Sequence, residues 1–549
     1  MARRDEQGRW DVINQVPVLA DYDAFAADPV LPGIVAAFRA NWASERLHEA
    51  GRMVGSTRVQ DLAYLANRYT PELKAFDRFG NRIDKIAFHP AWHELMGLAI
   101  AQDTHALAWN RPEPGSQVAR AALQYLWYGA ESGICCPISM TYAAVPVLKQ
   151  APLLWEQWGS LVTSNRYDPR QGPAHLKTGA TVGTAMTETQ GGSDLRQTQT
   201  HAEDNRDGTF SLHGRKWFFS VPHSDVFLTL ARTKEGISCF VVPGWLPDGR
   251  RNGIAIQRLK DKVGNRSNAS SEVEFRGAIG YLIGEPGRGI RTGLSMNHNS
   301  RLDIAAASSG LMRMAVSLAA HHAQHRRAFQ KALIDQPIMQ NVLADIAIEA
   351  EAAAWLAFRL FAALDRQEES ASERLLARVG APIAKYWITR RAPAVVTEAL
   401  ECHGGNGFIE ENPMARLYRE APLNAIWEGS GNVICLDVLR SLAREEGAVD
   451  VLRAELMAAV GTDRRYDAAL KRLEAELPDL IRSEGQARRL TEKLALALQA
   501  SLLLRFAPAP VADAFIATRL GEGWSGQFGD LPPAVDAAAL ARRAVPVIS

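Results

Sequence analysis

Hydrophobic and polar positions change rhythm twice along this 549-residue chain. Up to residue 181, apolar side chains recur at helical spacing, as in Leu95, Leu98, Ala99 and Ala101, and again from Val118 to Tyr128. From 182 to 289 the period drops to two. Phe210, Leu212, Val226, Leu228, Leu230, Phe240, Val242, Ile254, Ile256, Val273 and Phe275 fall in short runs split by glycine, Asp-Gly and proline. That pattern predicts a small antiparallel barrel or sandwich. After Ile290 helical spacing returns, and Leu343, Ile346, Ala350, Ala353, Ala357, Leu360 and Leu364 mark one long amphipathic helix. The next helix is expected to be interrupted at Pro382 and Pro393, because proline lacks the amide proton a helix needs. Long helices with short links predict a bundle. The chain therefore reads as an α+β multidomain protein with a helical domain (1–181), a β-domain (182–289), a helical bundle (290–440) and an additional C-terminal helical domain (441–549).

Composition narrows the function classes. Length alone predicts two to four domains. With 47% hydrophobic and 22% charged residues, the chain has the make-up of an ordinary soluble globular protein. Its 62 basic residues balance 61 acidic ones, so no global charge marks a nucleic-acid or membrane binder. The stretch Met1 to Arg9 has no apolar core for a signal peptide. The most apolar window, Leu494 to Leu504, is interrupted by Gln499 and Ser501 and is too short to span a bilayer. A cytoplasmic protein without a membrane anchor is expected. Five cysteines, an odd number with no C-x-x-C pair, suggest neither a disulfide framework nor zinc. His321 and His325, one helical turn apart without a third ligand, read as neighbours of the Arg326-Arg327 surface, and no metal is expected. Neither a strand-GxGxxG-helix unit nor a Walker A sequence occurs.

The most informative stretch runs from Leu400 to Leu436. It joins a glycine-rich turn, Gly404-Gly405-Asn406-Gly407, to a carboxylate, Glu428, set between Trp427 and Gly429. Glycines let backbone approach a ligand closely. A carboxylate beside an indole loses hydration, which raises its pKa and suits it to take a proton near neutral pH. The pair reads as a cofactor clamp followed by a catalytic base, and it resembles the C-terminal signature of the acyl-CoA dehydrogenase family of flavoproteins. Helices, then strands, then helices is also that family's order.

The resemblance assigns further roles. Met186-Thr187-Glu188-Thr189-Gln190-Gly191-Gly192-Ser193-Asp194 is similar to the family's FAD motif. It places Met186, Thr187, Gly192 and Ser193 at the flavin. In Gly214 to Ser220, Ser220 matches a flavin-facing threonine, and the aromatic partner of the ring is either Trp217 or Phe218. Lys262 to Phe275 follows the run that closes the β-domain, with Arg266 the residue expected to make a polar contact. Arg301 falls where the family sets an arginine next to substrate. Arg326, Phe329 and Gln336 lie in a segment that, in the family, holds the FAD diphosphate of a neighbouring subunit; a planar guanidinium suits two phosphate oxygens at once. Gln330 replaces a glycine there, Gln336 comes one position early, and Glu401 stands for a glutamine. Gly404, Gly405, Trp427, Ser430 and Asn432 complete the FAD set, with Glu428 as the base. A homotetramer is implied.

Arg416 to Asn432, His89-Pro90-Ala91-Trp92-His93, Trp217 to Pro222 and the extra C-terminal helices are similar to one branch of the family, the AidB or alkylation-response type. That branch implies α,β-dehydrogenation of an acyl thioester such as acyl-CoA. Its alternative is a protective flavoprotein with vestigial dehydrogenase activity that binds double-stranded DNA through its C-terminal domain. The candidate basic pairs are Arg464-Arg465, Arg488-Arg489 and Arg542-Arg543, set among 15 acidic and 14 basic residues over 441–549.

Overall fold

The computed structural model describes residues 12–521 and 524–548, so the leader test on Met1 to Arg9 concerns a segment outside the described residues. The two changes of rhythm divide the chain as the pattern predicts: helices, a β-domain, then helices again. The N-terminal part departs from a purely helical reading by one hairpin, β1 (Glu72–Phe76) with β2 (Arg82–Ala87). Its apolar alternation is too short to be legible by itself. What holds it is buried Asp84, which accepts from the Ile256 amide at 3.3 Å and pins the hairpin to the β-domain. Helices Ser116–Ala130 and Ser132–Leu148 are buried over nearly their whole circumference.

The β-domain contains β3 (Val182–Ala185), β4 (His201–Asp204), β5 (Phe210–Ser220), β6 (Val226–Thr233), β7 (Gly236–Pro243), β8 (Ile254–Leu259) and β9 (Ser270–Ile283). They form one sheet in the order β3-β5-β4-β6-β7-β9-β8, and β3–β6 and β5–β9 pairings curl it back on itself. The expectation of a wholly antiparallel domain is corrected here, since β3 runs parallel to β6. Leu212, Phe219, Phe240, Val242, Ile254, Ile256, Val273 and Phe275 fill the domain's own core. Val226, Leu228 and Leu230 on β6 face the other way, into the helical body. Alternate residues of a strand point to opposite faces, so β6 joins two cores.

The helical body is built on Gly289–His325, Pro337–Asp365 and Ala371–Cys402. Two sequence expectations fail in it. Ala371–Cys402 runs unbroken through Pro382 and Pro393. Each proline costs about 3 kcal/mol in a helix interior, but this helix is buried along most of its length, and tertiary packing carries more of a helix's stability than propensity does. Pro337–Asp365 is not amphipathic: Leu343 to Leu364 are buried on nearly every side. The C-terminal helices cover its outer face, and the charged residues there are paired. Arg519 engages Asp345 and Glu349, Arg391 engages Glu349, and Arg543 engages Glu351. Arg359 meets Glu373 at 2.8 Å and Glu455 at 2.7 Å.

One apolar core extends from Phe25 through the bundle to Ala544. Gly289–His325, rather than Leu494–Leu504, is the helix long and apolar enough to cross a membrane among the described residues. Because 89% of its apolar window is buried inside the protein, that surface is already used. His321 is buried with Nε2 2.9 Å from the Pro17 carbonyl, and no metal-sized cluster of ligands occurs among the described residues. All five cysteines are free and buried.

Candidate active site

Glu428 sits in a short turn between a 3-10 turn, Leu423–Ala425, and the helix Gly431–Arg444. Its backbone is left-handed, φ +56°, and Gly429 follows at φ +108°. The left-handed conformation costs a non-glycine residue about 1–2 kcal/mol. Two cations offset that by holding consecutive carbonyls: Arg301 Nε donates to the Glu428 oxygen at 3.1 Å, and Lys385 Nζ to the Gly429 oxygen at 2.5 Å. Gly429 is also demanded by space, because a Cβ there would lie 2.9 Å from Ile434 Cδ1. Burial raises the Glu428 pKa, opposed by Arg301 and Lys385. Burial brings Lys385 down to about 7, helped by Arg301.

The Arg301 guanidinium is 13% exposed and is bound to Asp437 at 2.5 Å as well as to the Glu428 carbonyl, so it positions the turn. Burial disfavours ionised Asp437, but Arg301 and Arg378 outweigh this and keep its pKa low.

Glu428 and Trp427 line a cleft with Gln124, Tyr128, Cys136, Ser139, Met140, Asp303 and Ile304 among its walls. Ile426, next to Trp427, is 63% exposed and is not part of these walls. Asp303 is fully buried, paired with Arg120, and accepts the Ser139 hydroxyl. The Tyr128 hydroxyl is held between Glu420 at 3.1 Å and Asn424 at 2.9 Å. Glu420 in turn accepts from the Asn265 side-chain amide at 3.1 Å. Asn265, rather than exposed Arg266, thus makes the polar contact of the Lys262–Phe275 run.

The flavin-type segments adjoin this cleft through β3. Thr184 Oγ1 lies 3.6 Å from the sulfur of Met140, a cleft residue, and β3 leads directly to Met186 and Thr187. Buried Glu188 fixes the following loop. It accepts Lys216 Nζ at 2.7 Å, the Gln199 amide at 2.7 Å and the Thr200 hydroxyl at 2.6 Å. Burial opposes its ionisation, but Lys216 outweighs it and lowers the pKa to about 2. The Trp217 amide donates to the Thr187 carbonyl at 2.9 Å. A Cβ on Gly192 would meet Thr187 Oγ1 at 2.3 Å, so that close approach needs glycine.

Trp217 and Phe218 stand at an irregularity where β5 shifts register on β9 between Lys216 and Phe219. Lys260 Nζ lies 3.4 Å from the Trp217 ring centre, while Phe218 is 48% exposed. Gly404, left-handed at φ +59°, and Gly405 have nothing within 4 Å of where a Cβ would be. Accessible hydroxyls on Thr187, Ser193 and Ser220, an exposed aromatic face at Phe218 and open glycine backbone fit FAD.

The nucleotide-end residues are more scattered. Arg326 donates to the Asn14 carbonyl, Gln336 Nε2 to the Ala328 carbonyl at 3.2 Å, and Phe329 is 92% exposed. Exposed Ser430 precedes the Gly431–Arg444 helix without capping it through its side chain. Asn432 Oδ1 accepts from Arg488 at 2.8 Å. Arg465, Arg489, Arg542 and Arg543 are likewise engaged, with Asp513, Glu476, Asp335 and Glu351. Sequence reasoning missed Lys385, Gln124, Ser139, Asp303 and Arg120. Asp303, a lone carboxylate in an Ile-Ala run, was the one available signal.

Three family models match the chain: the adaptive response protein AidB N-terminal domain over residues 14–169, the acyl-CoA dehydrogenase middle domain over 183–278 and the acyl-CoA dehydrogenase C-terminal domain over 287–443. AidB of Escherichia coli (strain K12), which bears a provisional acyl-CoA dehydrogenase designation, is 44% identical over 506 residues, 92% of this chain and 93% of that protein. The structure of Caenorhabditis elegans ACDH-11, in complex with C11-CoA, superposes with a TM-score of 0.84 at 25% identity, covering 97% of this chain and 93% of that one. Butyryl-CoA dehydrogenase from Megasphaera elsdenii shares the fold at 24% identity, with a TM-score of 0.53 over 71% of this chain and 99% of that one. With a carboxylate-bearing turn opening onto a cleft and these relatives, the chain belongs to the acyl-CoA dehydrogenase family, in its AidB-type branch, and is a FAD-dependent oxidoreductase acting on CH–CH bonds.

Proposed function

We propose that this protein removes the α-proton of an acyl-CoA thioester with Glu428 and thereby drives α,β-dehydrogenation. The observation that carries this reading is Glu428 itself: a carboxylate with a raised pKa, on a turn held by two cations, opening onto a cleft. A base needs reach and a pKa near the working pH, and partial desolvation provides the second. Fixing both carbonyls of the turn removes backbone freedom that would otherwise blur the carboxylate's aim. Trp427, Met140 and Ile304 keep the surroundings of the proton transfer apolar.

FAD, when bound, supplies the hydride acceptor. Met186, Thr187, Gly192, Ser193 and Ser220 would hold its ring, with Trp217 or Phe218 against the flavin; Lys260 Nζ lies 3.4 Å from the Trp217 ring centre and 4.8 Å from that of Phe218, and Phe218 is 48% exposed. The Gly404-Gly405 turn, Trp427, Ser430 and Asn432 would bound the other side. Arg326, Phe329 and Gln336 would serve the nucleotide half of a neighbouring copy in a homotetramer; the exposure of Phe329 and of Phe408 supports this.

Replacing Glu428 with Gln tests the reading. The purified variant should keep its FAD absorbance, yet anaerobic bleaching by a short acyl-CoA should slow by about 10³-fold. Bleaching at the wild-type rate would refute the assignment. The DNA-binding alternative has less support, because five of its six arginines already have partners.

A further inference from the structure

The cleft beside Glu428 is mostly apolar, yet one buried polar group in its wall has no partner. Gln124 is 1% exposed, and its Oε1 has no hydrogen-bond partner among the described residues. A buried unpaired carbonyl costs about 1–3 kcal/mol, so it calls for a donor. Ser139 and Ser300 also line the cleft, but their protons are committed: Ser139 donates to Asp303, and Ser300 to the Met296 carbonyl at 3.3 Å. What Ser139 Oγ and Gln124 Oε1 offer a ligand is therefore lone pairs. Charge narrows the choice further. Arg120 neutralises Asp303 from behind, and no lysine or arginine is among the residues lining the cleft. An anionic group would meet two carboxylates, Asp303 and Glu428, with no cation of its own to pair with among the lining residues.

We propose that the acyl group taken by this site carries a neutral hydrogen-bond donor, a hydroxyl or a carboxamide, received by Gln124 and Ser139. This rests on the reading of Glu428 as the base, and it names the substrate class of that same site. Sites built to hydrogen-bond a substrate reject analogues that leave their polar groups unpaired.

The test uses the FAD-loaded enzyme and a matched four-carbon set: butyryl-CoA, 4-hydroxybutyryl-CoA and succinyl-CoA, each titrated anaerobically while flavin absorbance is followed. 4-Hydroxybutyryl-CoA should half-saturate bleaching at about a tenfold lower concentration than butyryl-CoA, with succinyl-CoA the weakest. In Gln124→Leu the first two should become equal, and Ser139→Ala should weaken the hydroxylated thioester alone. Bleaching with no preference in the wild type, meaning that waters alone satisfy Gln124, would overturn the proposal. So would a preference that survives both variants. If none of the three thioesters bleaches a bound flavin, the reading of Glu428 fails, and that outcome is distinct from bleaching without selectivity.

Discussion

At the scale of single residues, position rather than identity sets the chemistry. Glu428, Trp427, Ser193 and the glycines of the 404–407 turn are legible in the chain because their types and spacing are unusual together. Lys385 is not legible, since a lysine inside a helix ordinarily faces water. Here it is 1% exposed, and its ammonium holds the Gly429 carbonyl. Its charge also lowers the Glu428 pKa. Glu428 acts only when ionised, so flavin reduction should rise with pH through its raised pKa. Below about pH 7, where Lys385 is charged, Lys385→Met removes a favourable neighbour, so the acid limb of kcat/KM should move to higher pH. A pH profile with an unmoved limb would show that Lys385 acts through the backbone alone. Arg301 is legible in part: its motif position suggests substrate contact, and the geometry adds that the guanidinium is tied to Asp437 and to a main-chain carbonyl.

At the scale of elements, the strands were easier to read than the helices. Period-two runs such as Leu212 or Ile254 and Ile256 land on strands because one face of each packs on its own core. Helix Pro337–Asp365 was misjudged because Asp345, Glu349, Glu351 and Arg359 look like a solvated face. They are instead an internal face, neutralised by residues from Glu373 to Arg543. Removing one partner of a buried ion pair costs about 3–5 kcal/mol. Arg519→Met leaves both Asp345 and Glu349 short of a countercharge, so it should lower the melting temperature by several degrees, whereas Arg489→Met, which frees a half-exposed pair, should barely change it. Equal shifts in thermal denaturation would mean that the C-terminal helices are not held on by this interface.

At the scale of the whole molecule, the C-terminal helices share one core with the bundle instead of folding as an appendage. Five of the six candidate arginines are paired, Arg465 and Arg489 within these helices and Arg488, Arg542 and Arg543 onto the rest of the fold, so affinity for duplex DNA should be low and only weakly salt-dependent; a steep fall of affinity with salt, measured by fluorescence anisotropy, would revive the DNA reading. Self-association is another matter. Phe329→Asp places a charge on a 92%-exposed ring and should reduce both the assembled mass seen by light scattering and the FAD retained on gel filtration. An unchanged mass would remove the neighbouring-copy role of Phe329. The sequence by itself determined the order of helices, strands and helices and the family, because hydrophobic period and short motifs are local properties. Only the tertiary structure decided that two prolines lie inside one helix, that a charged face is interior, that Arg301 and Lys385 brace Glu428, and that Gln124, Ser139 and Asp303 share its cleft. Burial and electrostatic pairing depend on which distant segments meet, and no local pattern records that.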